Sequence, residues 1–376
     1  FVASGIGPVY RLGGDEFQIV LADNAEIDRA RWIADALIDV MAVPISIGRQ
    51  NTTVSVSVGI AAACGGETSS QQLVTNVGVA LHQAKNDGRG CVRELTADML
   101  SKVAARRLLA SEMPRAIENR EIVPFFQPQI DAKTGAVIGA EALARWQHPT
   151  RGLLPPIAFL DVAAEIGLVA EIDRCIMQQA LEFGSTMISQ GQDLPAVSIN
   201  LSAGRLIDPN LVADVEAHCI DRRCTLSIEL LETISFDELQ EDDIFINNIA
   251  RLRDIGVQIE ADDFGSGRAS ITSLRNIQPD RVKIDRHLVQ AAIHDQDKRK
   301  VIAAILDMTR ALGIEVLAEG VENAYEIGVI QGLGCTLFQG YAYSRPIPAD
   351  DFSSYLRAAP NLQMKTASGD VGVSKF

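Results

Sequence analysis

The residues in this chain that invite chemistry are carboxylates set where apolar strands end. The stretch 256–267 (GVQIEADDFGSG) runs from β-branched residues into two adjacent acids, Asp262 and Asp263, and then into a glycine-rich turn. Adjacent carboxylates repel, so at the end of a buried strand they require a compensating cation; as an acidic turn in water they require none. The placement recurs along the chain. Glu141 follows IGA, Asn200 follows VSI and Glu229 follows LSI, while Lys283 sits in VKID, Glu319 in LAEG and Gln339 in LFQG. Five carboxylates, two amides and a lysine, with neither Cys nor His among them, make an oxygen donor set suited to Mg²⁺ or Mn²⁺ rather than zinc. Two such cations clamp a phosphodiester, activate a water and stabilise the leaving oxygen. Lys283 adds a charge that orients water or steadies a developing oxyanion. Each residue alone reads equally as a polar strand end facing water; their recurrence on successive strands points to one site.

Those strands need positions. Strand-like segments fall at 123–131, 137–146, 196–202, 225–232, 257–264, 281–285, 315–319 and 336–341, with amphipathic stretches at 157–190, 206–220, 242–255 and 298–312 between them. Eight strands with helical crossovers predict an α/β fold, a (β/α)8 TIM-like barrel whose strand C-termini converge on one mouth. The connection 131–136 (DAKTGA) is too short for a parallel crossover, so the first two strands are expected to be antiparallel.

The first hundred residues read differently. Tyr10 to Leu21 is strand, Gly-Gly turn, strand, with Asp15 and Glu16 at the tip; the two acids fit a cation site or a solvated turn. A helix is expected over 25–40, a strand over 52–62 and a helix over 70–87 that stops at glycine with cations in its last turn. Segment 97–119 is helical by composition, with Pro114 interrupting it and Ser111 available to cap the next piece. It reads as a spacer between domains or as an element that transmits movement.

A chain of 376 residues, 47% hydrophobic and 22% charged, is globular. Its 49 acidic against 34 basic residues, a net charge of −15, argue against a nucleic-acid polymer as partner. Six scattered cysteines suit a reducing cytosol and read as buried thiols; Cys219 and Cys224 beside His218 also allow a zinc site. No apolar run reaches the ~18 residues of a membrane span. The first residue is Phe1 rather than methionine, so the chain is expected to begin inside a larger polypeptide, one that membrane segments elsewhere could anchor. Residues 361–376 read as a flexible tail.

Gly13-Gly14-Asp15-Glu16-Phe17, with SVGIA at 57–61 and AKNDGRG from Ala84, resembles the GGDEF family of diguanylate cyclases, which make cyclic di-GMP from two GTP on an α+β fold. The resemblance implies that Asp15 and Glu16 hold metal and nucleotide and that Lys85 and Arg89 face phosphates. Only twelve residues precede the signature, where the family has half a domain with a further metal-binding acid and the guanine-reading residues. This portion, 1–96, is therefore expected to regulate rather than cyclise, with GTP a ligand of the intact protein. The family's inhibitory RxxD motif would fall on Ser4 and Gly7 and is absent.

Glu141-Ala142-Leu143 with Arg145-Trp146 resembles the signature of the EAL family, and the resemblance extends over 114–360, beyond a linker at 97–113. That family hydrolyses cyclic di-GMP to linear pGpG on a barrel with an antiparallel first strand. The resemblance implies two Mg²⁺ or Mn²⁺ ions held by Glu141, Asn200, Glu229, Asp262, Asp263 and Glu319, with Glu319 as ligand or base and Lys283 touching the catalytic water. It implies substrate contacts from Gln127, Leu143, Arg145 and Gln339, support from Glu232 and Glu322, and a homodimer through this domain. The chain departs from the pattern at Phe126, Asp161 and Arg268, where the family has tyrosine, proline and tyrosine. None of the ligand positions is lost, which favours an enzyme over a non-catalytic cyclic di-GMP receptor. Bifunctional synthesis and hydrolysis stays open for the parent protein.

Overall fold

The computed structural model describes residues 7–21, 27–48, 50–63, 69–192, 194–218, 224–230, 242–265, 274 and 277–358. Two compact units divide at Ser111 and Glu112.

In the first unit, β1 (Val9–Gly13) and β2 (Glu16–Ile19) form an antiparallel hairpin. Its turn needs Gly14, whose φ of 51° lies in the left-handed region that favours glycine. After helix Ile27–Met41 comes a second hairpin, β3 (Ile45–Ile47) with β4 (Gln50–Thr52). β5 (Val58–Ile60) then pairs in parallel with β6 (Val92–Glu94) across helix Ser70–Asn86, whose first turn is capped by the Ser69 hydroxyl accepting from Gln72 N at 3.1 Å. The single strand expected over 52–62 is thus two short pieces. Alternation over 52–62 supplied the period of a strand, but only 58–60 finds a parallel neighbour, and Thr52 belongs to the hairpin.

Helix Ala97–Glu118 runs unbroken through Pro114, against the expected interruption. The Ser111 hydroxyl donates to Leu108 O inside the helix instead of capping a new one. Proline removes one hydrogen bond and crowds the preceding turn. Good helix formers on both sides and burial of Met113 and Ala116 outweigh that.

The second unit holds β7 (Ile122–Asp131), β8 (Ala136–His148), β9 (Gly152–Leu154), β10 (Ala196–Leu201), β11 (Thr225–Leu230), β12 (Gln258–Phe264), β13 (Arg281–Ile284), β14 (Glu315–Ala318) and β15 (Leu337–Gln339). Order β10-β11-β12-β13-β14-β15-β7-β8, with β10 pairing back onto β8, closes an eight-stranded barrel. β7 is antiparallel to both β8 and β15, as the short 131–136 turn requires, and all other barrel pairings are parallel. The rim strand β9, antiparallel to β8, was not foreseen.

The stretch read as one helix over 157–190 is a 3-10 turn (Pro156–Ala158) and two helices, Leu160–Glu165 and Val169–Ser189. Gly167, at φ 74°, turns the chain between them. Helices Asp243–Asp254, Arg286–His294 and Gln296–Leu312 start where Asp242, Asp285 and Asp295 cap their first turns, and Gly313 ends the last in the left-handed conformation. Leu288, Ile302, Leu306 and Phe338 belong to one buried cluster with the barrel strands. Cys175, Cys224 and Cys335 are buried thiols; Cys219, Cys64, the end of the 225–232 segment and the tail 361–376 lie outside the described residues. Among the described residues no helix is long and apolar enough to cross a membrane.

Successive strand residues point to opposite faces, so residues two apart share one. On that period β8 supplies Gly139 and Glu141, β10 Ser198 and Asn200, β11 Ser227 and Glu229, β12 Glu260 and Asp262, β13 Arg281 and Lys283, and reversed β7 Gln129 and Gln127. Except at Gly139, each is polar, and Glu229, Glu260, Lys283, Ser198, Ser227 and Gln129 are completely buried. The barrel interior is therefore polar in two tiers, one at the mouth and one below it.

Candidate metal centre

Lys283 is the hub of the upper tier. Its Nζ, fully buried, lies 2.6 Å from Glu319 Oε1, 2.9 Å from Glu229 Oε1, 3.1 Å from Glu141 Oε2 and 3.6 Å from Asp262 Oδ1. Each partner comes from its own strand end, on β8, β11 and β12, with Glu319 just past β14. Asn200 on β10 donates from Nδ2 to Glu141 Oε1 at 2.8 Å, and Gln339 on β15 donates a short bond to Glu141 Oε2. Gln339 also donates to Gln127 Oε1 at 3.1 Å, while Gln127 donates to Ser344 O at 3.0 Å.

Two adjacent strand residues ordinarily face opposite ways, yet Asp262 and Asp263 bring oxygens to one cluster. The pairing of β12 with β13 slips between Ala261 and Phe264, and Asp263 takes a left-handed φ of 55°. Asp263 N donates to Asp262 Oδ1 at 2.9 Å. This bulge turns both acids toward the mouth, at a backbone strain on the order of 1–3 kcal/mol. Oxygens of Asp262, Asp263 and Glu319 consequently lie within 4.8 Å of one another. Gly265 follows at φ 95°, where a Cβ would fall 2.6 Å from Leu288 Cδ2, so the turn admits only glycine.

One ammonium does not neutralise four carboxylates in a buried space. Burial and the charge of Glu141 push Glu229 well above the usual carboxylate range, and burial pushes Glu319 up to about 8 although its side chain keeps 18% exposure at the pocket wall. Burial likewise raises Asp262. Glu141 faces the same desolvation, but Lys283 and the Gln339 amide outweigh it and hold it below the ordinary value. The carboxylates hold Lys283 firmly protonated against its own burial. Both oxygens of Glu229 are buried and, among the described residues, find no hydrogen-bond donor beyond the ion-pair contact with the Lys283 ammonium at 2.9 Å. A buried carboxylate with one shared ammonium inside an all-oxygen cluster is what a hard divalent cation satisfies, so the donor set fits Mg²⁺ or Mn²⁺.

Above the cluster opens a cavity of about 330 Å³, lined among others by Gln127, Leu143, Asn200, Glu322 and Gln339. Glu322 accepts from Gln290 Nε2 at 3.5 Å. Arg145, expected on the substrate, is half-buried off this wall, over the Phe125 ring at 5.7 Å, and donates to Ala144 O. Glu232, expected to steady the loop after Asp263, lies outside the described residues, as does Arg268. The wall also carries Arg286, Gln290 and Tyr341, which sequence reasoning missed. Arg286 directly follows the Asp285 cap after Lys283, a position that the VKID segment placed beside the mouth.

In the first unit Lys85 Nζ sits 2.8 Å from Glu16 Oε1, so the hairpin acid and the helix cation do meet. Asp15 and Arg89 are exposed, and Gly13 and Phe17 complete the solvent-facing turn. The solvated reading suffices for this pair in the residues present.

A barrel with an oxygen-only acidic centre at the C-terminal strand ends defines the class: a TIM-like barrel built for hard cations. Residues 110–346 match the EAL domain model and residues 3–91 the model "Diguanylate cyclase, GGDEF domain". The chain belongs to the EAL domain family and carries a GGDEF portion ahead of the barrel. It is 31% identical over 342 residues to the bifunctional diguanylate cyclase/cyclic di-GMP phosphodiesterase MucR of Pseudomonas aeruginosa, covering 91% of this chain and 50% of that protein. The solved PaMucR phosphodiesterase in complex with c-di-GMP superposes with a TM-score of 0.59 at 31% identity, over 65% of this chain and 99% of that one. A manganese/cy-diGMP complex of Klebsiella pneumoniae BlrP1 superposes with a TM-score of 0.52 at 29% identity, over 60% and 56%. The chain spans about half the length of the curated relatives it matches.

Proposed function

We propose that the barrel hydrolyses cyclic di-GMP to linear pGpG, using two Mg²⁺ or Mn²⁺ ions held by Glu141, Asn200, Glu229, Asp262, Asp263 and Glu319. One observation carries this reading: strand ends throughout the barrel deliver those oxygens to a single buried cluster under an open cavity. Similarity to MucR and to the BlrP1 manganese complex supports both the substrate and the metal. When bound, the cations supply Lewis-acid charge that makes water nucleophilic and stabilises the leaving oxygen.

The chain's own groups do the rest. Lys283 orients the attacking water and counters charge on the phosphoryl oxygens, and Glu319 accepts the water proton. The water oxygen bonds to phosphorus, the P–O3′ bond breaks, and a 3′-hydroxyl and a 5′-phosphate remain on pGpG. Gln127, Leu143 and Gln339 on the wall, with Arg286, position the dinucleotide; Arg145 contributes from its place over the Phe125 ring. Glu322 and Glu232 support the two catalytic loops. The GGDEF portion regulates, with GTP as its ligand in the parent protein, and the barrel pairs as a homodimer.

Incubation with cyclic di-GMP and Mg²⁺ or Mn²⁺, resolved by anion-exchange chromatography, is expected to give pGpG, and Glu141→Ala to abolish it. Tight binding without turnover under either metal would replace the hydrolase with a receptor.

A further inference from the structure

The lower tier of the barrel interior is not used by the proposed reaction, yet among the described residues a hydrogen bond ties it to the upper tier. Gln129 Nε2 donates to Gln339 Oε1 at 3.1 Å, and Gln339 spends its own NH₂ on Glu141 and Gln127. An amide group presents oxygen on one side and nitrogen on the other. With Gln129 donating to the Gln339 oxygen, the Gln339 nitrogen must face Glu141. The orientation of Gln129 is set in turn. Arg281 Nη1 donates to Gln129 Oε1 at 3.3 Å and to Glu260 Oε1 at 3.0 Å, and Gln129 Nε2 reaches Ser198 Oγ at 3.4 Å. Arg281 is itself anchored by Glu315, at 2.9 Å from Nη2.

The space for this chain of donors is built in. Gln129 pairs across β7 and β8 with Gly139, where a Cβ would stand 3.1 Å from Gln129 Oε1. Gln129 and Glu260 are fully buried, and Arg281 and Gln339 are nearly so. Water therefore does not compete to reorient these amides.

We propose that Gln129, oriented by Arg281 over Gly139, is a positioning residue: it sets which end of the Gln339 amide meets Glu141 and so holds that carboxylate in place to bind metal. The proposal rests on the reading of Glu141 as a metal ligand. Were Gln339 flipped, its oxygen would face the Glu141 carboxylate and repel it.

The test is Mn²⁺ titration calorimetry with cyclic di-GMP kinetics on the full chain and on Gln129→Leu, which keeps volume and removes its bonds with Gln339, Arg281 and Ser198. Loss of an outer partner lowers metal affinity roughly 10- to 100-fold. About 10-fold weaker Mn²⁺ binding and a comparable fall in kcat are expected, with KM changed less than about twofold. Gln129→Glu, which accepts from Arg281 but offers no donor to Gln339, is expected to behave the same way. A merely structural role would lower Tm and leave Mn²⁺ affinity and kcat alone, and that result overturns the relay. An unaltered protein that takes up no Mn²⁺ overturns the metal reading and the relay with it. If neither variant folds, side-chain ¹⁵N NMR of the unaltered protein decides: the Gln339 NH₂ protons are expected to be protected from exchange, and rapid exchange would refute the relay.

Discussion

Lys283 shows how much one side chain holds. It is the sole ammonium within 4 Å of Glu141, Glu229, Asp262 and Glu319 among the described residues. Lys283→Met leaves these acids facing one another, and removal of one partner from a buried ionic cluster costs about 3–5 kcal/mol. Urea denaturation of the metal-free variant should show a loss of that size, partly restored by Mn²⁺; an unchanged midpoint would mean the acids do not depend on the lysine. Glu319 makes the centre sensitive to pH. Its pKa in the metal-free folded protein is pushed up to about 8 by burial, above the ordinary 4.5. Between those values the folded state holds a proton that the unfolded state has released, so metal-free stability falls as pH rises through that window and levels above about 8. Cation binding needs the ionised form, so the Tm gain from Mn²⁺ over EDTA should widen from pH 6 to pH 8. A gain that is flat with pH would count against Glu319 as a ligand.

At the level of elements, the loops after the strands are held to tight tolerances. Gly340, next to Gln339, has no room for a Cβ, which would stand 2.1 Å from Val321 O in the loop that bears Glu319 and Glu322. Gly340→Ala must push that loop away, at about 1–3 kcal/mol. Turnover is expected to drop along with Tm; full activity would show that the loop has slack. The helix Val169–Ser189 steadies the end of β10 through Asp173, whose Oδ2 accepts from Ser202 N at 2.8 Å, two residues past Asn200. Burial raises Asp173 to about 6 from 3.8, so the folded state keeps its proton longer than the unfolded one and stability declines between pH 3.8 and 6. Asp173→Asn keeps the acceptor and removes that titration. It should be roughly 1–3 kcal/mol more stable relative to the unaltered protein at pH 7 than at pH 4, by denaturation at the two pH values. Equal differences at both would show that Asp173 does not titrate there.

For the whole molecule, the division at Ser111 and Glu112 and the matches over 3–91 and 110–346 describe two units, and among the described residues the acidic cluster able to hold a metal lies in the barrel. Scanning calorimetry is expected to show that Mn²⁺ at about 100 times its Kd stabilises one transition by about 2.7 kcal/mol and leaves the other in place. Equal shifts in both would place a cation in the GGDEF portion too.

The sequence by itself determined the eight barrel strands, the reversed first strand and the acids at the strand ends. These follow from local physics: period-2 apolar runs, a connection too short to cross over, and carboxylates where those runs stop. The ion pair of Glu16 with Lys85 came only with the structure, since the resemblance gave the acid to metal and nucleotide and the lysine to phosphate. Local pattern misjudged Pro114, because tertiary burial of the helix outweighed one lost hydrogen bond, and it fused 157–190, because apolar spacing continues on both sides of Gly167. It offered no reason why Arg145 should lie off the cavity wall, and Arg286, though next to the VKID segment, was passed over because only the helix start at Asp285 brings it to that wall. Above all, adjacency of Asp262 and Asp263 in sequence would send them to opposite faces of a regular strand. Only the slipped pairing with β13, and the left-handed Asp263 that it supports, brings both to one centre. Likewise Gln129, Glu260 and Arg281 are three unremarkable polar residues in three strands until barrel closure stacks them beneath the acidic cluster at the mouth. Long-range pairing decides such registers, and no local pattern encodes them.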